Sequence, residues 1–162
     1  MDAEAKTGVS SLTHENLLKP LGAVTANFTY LDGAIQFAIW VFLFGNDARP
    51  PLLGQAVTSE LSFRQLVSLF GASCRLRFPD RDHGQLEAIC GRVRELEQKR
   101  NQILHSFWVG GSDGKARRFK STAKGELKLQ SEEVDVATLT SLAADLEQAV
   151  EEVHQFRKAL FA

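Results

Sequence analysis

The chain has 162 residues, enough for one domain with a sizeable core and short for two. A hydrophobic fraction of 44% and a charged fraction of 24% are ordinary for a globular protein. The net charge of -1 excludes a global electrostatic drive toward nucleic acid, so any RNA or DNA contact has to come from a local basic patch. Cys74 and Cys90 form neither a C-x-x-C pair nor a disulfide framework, which fits a reducing cytoplasm.

Met1 to Ser11 is polar and lacks the basic start and apolar run of a signal peptide. Apolar residues then recur at Leu17, Leu21, Val24, Phe28, Leu31, Ile35, Ala38 and Phe42, in alternating steps of four and three that mark one helical face. Pro20 falls early in this stretch. The expectation is a short helix from about Leu12, a break or kink near Pro20, and a long helix to about Phe44. Phe37 to Phe44 reads FAIWVFLF, which is shorter than the roughly 20 residues of a bilayer span. A helix apolar all round over two turns belongs in a bundle core or a subunit interface, so no membrane is expected. Gly45 to Gly54 reads as a loop.

Ser62 and Gln65 have the spacing of a capping box, with Leu66, Leu69 and Phe70 as the apolar face behind it. Pro79 and Asp80 punctuate the next loop. A third helix is predicted over 83–106, with Asp82 as N-cap. Its stripe runs Leu86, Ile89, Val93, Leu96, position 100, Ile103 and Phe107, with Cys90 beside it as a small core residue. Position 100 is an arginine. A charge inside an apolar stripe is costly unless it is paired or functional.

Beyond Phe107 the pattern changes. GGSDG at 110–114 and KG at 124–125 are turn signals separating FWV, ARRFKST and ELKLQ, which predicts a small β-meander or a pair of ordered loops. The last helix starts after Asp135, with Val134 and Leu139 spaced as a hydrophobic staple. Its stripe is Leu139, Leu142, Leu146, Ala149, Val153, Phe156 and Leu160, and Arg157 and Lys158 suit the C-terminal end of its dipole. The fold class expected is all-α: an antiparallel bundle of four to five helices with a small β-hairpin or meander before the C-terminal helix. It forms one domain over 1–162. Phe28, Leu31, Ile35, Val93, Leu96, Leu142 and Leu146 are expected to share its core.

Phosphate-binding glycine loops, H-E-x-x-H, G-x-S-x-G and paired C-x-x-C motifs are missing from the sequence. His14, His83 and His154 are isolated, so no metal or cofactor is expected. What stands out is Arg100-Asn101-Gln102-Ile103-Leu104-His105, late in the third helix. This R-N-x-x-x-H run resembles the HEPN superfamily. Its ribonuclease members carry an arginine, a polar residue after it, and a histidine four to six residues on. The order of a long first helix, a shorter second, the motif near the end of a third, a β-like insert and a closing helix is also similar to that family.

The resemblance implies metal-independent RNA cleavage. The 2′-hydroxyl attacks the neighbouring phosphate and leaves a cyclic phosphate and a 5′-hydroxyl. His105 is then the acid/base, Arg100 the phosphate clamp and Asn101 an orienting hydrogen-bond group. The residue types suit those roles. Imidazole titrates near neutrality, and guanidinium holds two phosphate oxygens at once. The resemblance further implies a toxin–antitoxin or antiviral defence setting, with a cognate antitoxin or other protein as partner. The other reading is a non-catalytic HEPN-like module that binds protein or nucleic acid. There Arg100 would pair internally with a carboxylate and His105 would only end its helix.

Asn101 and His105 share a helical face, whereas Arg100 and His105 lie about 140° apart on a regular helix. A helix distortion or a second subunit would bring them together. A homodimer is therefore expected, also because Ile39 to Phe44 is apolar beyond the need of one core face. Lys115, Arg117, Arg118, Lys120 and Lys124, followed by Lys128, are candidates for tracking an RNA backbone, with Trp108 and Phe119 available to stack. The alternative is a solvated hairpin whose charges protect a sheet edge.

Overall fold

The structure, a computed structural model, describes residues 11–45, 51–110, 115–124 and 126–162. Five helices and a small sheet follow one another: α1 (Ser11–Phe44), α2 (Pro51–Thr58), α3 (Phe63–Arg77), α4 (Gly84–Leu104), β1 (Phe107–Gly110), β2 (Lys115–Lys124), β3 (Glu126–Asp135) and α5 (Val136–Leu160). The fold is mostly helical, with the strands inserted before the C-terminal helix, as expected from the change of period after Phe107.

The 34-residue α1 is the spine. It lies along α5 and α3 and also touches α2, α4 and β1, while α4 packs on α3 and α5. The stripe read from the sequence is the face that does this. Leu17, Val24, Phe28, Leu31, Ile35, Ala38 and Phe42 are all buried. The seven residues expected to share the core are buried within one hydrophobic cluster. Phe42 stacks on Phe70 and Phe161, and Phe70 meets Phe156 edge-on, so aromatic rings join α1, α3 and the end of α5.

Several expectations need correction. The helix is not broken at Pro20, which lies inside a continuous α1. Proline removes one backbone hydrogen bond, but Leu17, Pro20 and Val24 are buried side by side, and that packing holds the helix through the defect. The loop after Gly45, where φ is +83°, does not extend to Gly54, because α2 starts at Pro51. Proline suits a first helical position. Residues 46–50 of that loop lie outside the described residues. Tertiary contacts hold this short helix: Gly54 lies against the Trp40 ring, and Trp40 Nε1 donates to Thr58 Oγ1 at 3.1 Å, which in turn donates to Gln36 Oε1 at 3.0 Å.

The capping box at Ser62 is present in both directions, Gln65 N–H to Ser62 Oγ and Ser62 N–H to Gln65 Oε1. For α4 the N-cap is His83 rather than Asp82. Asp82 instead accepts the Gly84 N–H at 3.1 Å. The meander has order β1-β2-β3, all antiparallel, with Phe107 opposite Phe119 and Arg118 opposite Glu132. Residues 111–114 and 125 of its turns lie outside the described residues. Asp135 caps α5 as expected, its Oδ1 accepting Ala137 N–H at 2.8 Å.

Asn16–Phe44 is long and apolar enough to cross a membrane by composition, with a mean hydropathy of 1.2, but 44% of that window is buried inside the fold, so it is weak evidence for a span. Ile39, Val41 and Phe42 are buried within the chain itself, and Trp40 is half-buried beside α2. The surplus of apolar residues read at Ile39 to Phe44 is thus largely used internally. Leu43 and Phe44 remain exposed.

Candidate functional site

The motif occupies the last turn of α4. Arg100 sits in the apolar stripe as the spacing implies, half-buried rather than sealed in. Its guanidinium carbon lies 4.5 Å above the centroid of the Phe28 ring from α1, and that ring packs 4.7 Å from Phe63 at the start of α3. A cation over an aromatic face recovers part of the solvation it gives up. Arg100 Nη1 donates to Asn101 Oδ1 at 2.9 Å, while Arg100 Nε is buried with no hydrogen-bond partner. The expected alternative of an internal ion pair is not what holds Arg100. Among the described residues, no carboxylate is bonded to it.

His105 is the C-cap of α4, with φ −92° and ψ 16°, so it has left the regular helix. Its backbone N–H donates to the Asn101 carbonyl at 3.1 Å. Its side chain is exposed and makes no hydrogen bond or ion pair among the described residues. The structure therefore joins Arg100 to Asn101 through their side chains and Asn101 to His105 through the backbone. That backbone bond keeps the Cα of His105 on the helical path, about 140° around from Arg100, and among the described residues no contact joins the two side chains.

Two carbonyls of that end accept side-chain donors from the sheet and the following turn. Trp108 Nε1 donates to the Ile103 carbonyl at 2.9 Å, and Ser106 Oγ donates to the Gln102 carbonyl at 2.6 Å. Arg118 Nη1 also reaches the Gln102 carbonyl, at 3.4 Å. Trp108, half-buried, is thus a structural cap rather than a free stacking surface.

The basic segment is also engaged. Arg118 donates through Nε and Nη2 to Glu132 Oε2, at 2.9 and 2.5 Å. Lys115 Nζ lies 2.8 Å from Glu133, and Arg117 lies 3.9 Å from the same carboxylate. The Lys115 contact holds the Glu133 carboxyl below the usual carboxylate range. The antiparallel register places Glu132 and Glu133 opposite Arg118 and Arg117. Lys120 is exposed, and the side chains of Lys124 and Lys128 lie outside the described residues. Phe119 is half-buried, 6.5 Å from the ring of the exposed Phe107.

On the far side of α4 a cleft of about 540 Å³ is lined by residues including Lys99, Gln102, Arg118, Glu132, Ser141 and Asp145. None of the three motif residues lines it. Among the described residues, no group of three or more His, Cys, Asp or Glu side chains is placed to hold a metal ion.

Glu97 and Arg64 escaped the sequence reading. Glu97 lies one turn before Asn101 and is buried, with Oε2 lacking any hydrogen bond, and Arg64 Nε of α3 is 3.5 Å away. The spacing of Glu97 to Arg100 and Asn101 was legible, but the approach of α3 was not. Comparison with protein-family models, with curated proteins and with solved structures finds no match for this chain.

Proposed function

We propose that this chain is a HEPN-type, metal-independent endoribonuclease, with α1, α3, α4 and α5 as its antiparallel bundle and Arg100, Asn101 and His105 as the cleaving residues. The observation that carries the reading is the end of α4: a guanidinium with no bonded carboxylate among the described residues, hydrogen-bonded to Asn101, about one turn from an exposed imidazole whose own backbone is tied to Asn101. In the reaction the 2′-oxygen bonds to phosphorus and the bond to the 5′-oxygen breaks. The 2′-hydroxyl proton passes to imidazole, and the departing 5′-oxygen takes one up. Arg100 holds the charge that builds on the phosphoryl oxygens. A symmetric dimer would bring two such motifs to one cleft, and a cytoplasmic setting with a cognate antitoxin or other inhibitory partner fits an enzyme harmful when free.

A second reading is favoured by a different observation. Arg100 is seated on Phe28 with Nε buried, and Lys115, Arg117 and Arg118 of β2 are matched by Glu133 and Glu132 of β3, as in a helical module that binds without cutting. The test is incubation of purified protein with single-stranded RNA in excess chelator. Cleavage leaving a cyclic phosphate, lost in His105→Ala with helix content intact, is the expected result. Cleavage that persists with both His105 and Arg100 replaced would end the proposal. Salt-sensitive binding with no cleavage under any condition would favour the module.

A further inference from the structure

We propose that Arg64 is a second phosphate-binding residue of this site and that Glu97 is its positioning residue. The inference rests on the ribonuclease reading for its ligand, single-stranded RNA, and deepens it. Its starting point is a pair of buried polar atoms without hydrogen-bond partners, Glu97 Oε2 and Arg100 Nε, three residues apart on α4. A buried carboxylate is expensive unless something compensates it. The cation present is Arg64, 3.5 Å away through Nε, and the two side chains differ sharply in exposure, 71% for Arg64 and 12% for Glu97.

That asymmetry is informative. An arginine closed on a carboxylate donates hydrogen bonds to it, as Arg118 does to Glu132 through Nε and Nη2. Arg64 Nε lies 3.5 Å from Glu97 Oε2 without a hydrogen bond to it, and the terminal nitrogens of Arg64 make no hydrogen bond among the described residues. The guanidinium is held near Glu97 by charge alone and keeps its hydrogen-bonding capacity for a phosphate, which it can bind bidentately.

The location fits the motif. Phe63, next to Arg64 in the chain, packs on Phe28, and Phe28 carries Arg100 on its ring. The capping box at Ser62 and Gln65 fixes the first turn of α3, where Arg64 resides. Glu97, Asn101 and His105 follow at four-residue spacing, about 6 Å per step while the helix lasts. Arg64 therefore stands about one turn of α4 from the Arg100–Asn101 pair, a separation suited to the phosphate next to the one being cleaved.

Binding is read by fluorescence anisotropy of a short labelled single-stranded RNA, in a His105→Ala background so that cutting does not intervene. Arg64→Ala should weaken binding about five- to tenfold and reduce the salt slope by about one. Arg77→Ala, at the other end of α3, should do neither. Glu97→Gln separates positioning from plain electrostatics. It removes a negative charge, so an electrostatic patch would bind RNA more tightly, whereas loss of the anchor should weaken binding and make a further Arg64→Ala change nearly silent. Thermal melts of each variant exclude unfolding as the cause. An Arg64→Ala affinity and slope equal to the parent's, tighter binding by Glu97→Gln, or no RNA binding at all would each overturn the inference. Arg64-dependent binding by a wild-type protein that never cleaves RNA would uphold it and sink only the catalytic reading.

Discussion

The guanidinium of Arg100 lies 4.5 Å over the ring of Phe28, so the charge in the apolar stripe of α4 is carried by an aromatic face of α1. Arg100 therefore serves packing as well as any chemistry, whereas the exposed His105 does not. Arg100→Ala should lower stability by about 1–2 kcal/mol, and His105→Ala should leave it within about 0.5 kcal/mol of wild type. Denaturant titration of both variants checks this. If both also abolish RNA cleavage, and the double variant is no worse than either, the two residues serve one step. A cost to stability from Arg100→Ala with undiminished cleavage would leave that residue a purely structural role.

Leu96 is 3% exposed and sits in the core one turn before Arg100. Leu96→Ala should cost about 2–5 kcal/mol, from lost burial plus the cavity left behind. An unfolding midpoint within error of wild type would show that α4 does not dock by this stripe.

A Cβ on Gly54 would run into the ring of Trp40. Gly54→Ala should therefore loosen α2 from α1 at a cost of about 1–3 kcal/mol, even though alanine is the better helix former. Tryptophan fluorescence should shift to the red along with the fall in melting temperature. A more stable variant with unchanged emission would mean that helix propensity, not docking, limits α2.

Both thiols are fully or almost fully buried, and burial pushes Cys74 up to about 11 and raises Cys90 as well. A thiol whose folded value is raised binds its proton more tightly in the native state. Its contribution to stability is present below the unfolded value of about 9 and is lost as pH rises toward about 11. Native protein should thus resist a thiol reagent at pH 8 and react fully only when unfolded, and Cys74→Ala should flatten the loss of stability between pH 9 and 11. Rapid labelling of the native protein at pH 8 would contradict this burial.

If two motifs share a cleft, light scattering at micromolar concentration should give twice the monomer mass of 17.9 kDa. A monomer that nevertheless cuts RNA would place the whole site on one chain.

Periodicity alone determined the stripes of α1, α4 and α5, the capping box of α3, the cap of α5 and the meander, because each depends on neighbours within a few residues or on one face recurring along a helix. It also marked Arg100 as anomalous, while Asn101 and His105 stood out only through the resemblance of the R-N-x-x-x-H run. Three things waited for the tertiary structure. Pro20 stays inside α1, and α2 forms beside Trp40, because packing outweighs the local cost, about 3 kcal/mol for a proline inside a helix and a few tenths of a kcal/mol for an ordinary residue. Arg117 and Arg118 are matched to Glu133 and Glu132 because strand register, set by long-range pairing, brings 117 and 118 opposite 133 and 132. The partners of the motif, Phe28 from α1 and Arg64 beside Glu97, come from helices far away in sequence, and no spacing along one helix can tell which side chains another will bring to it.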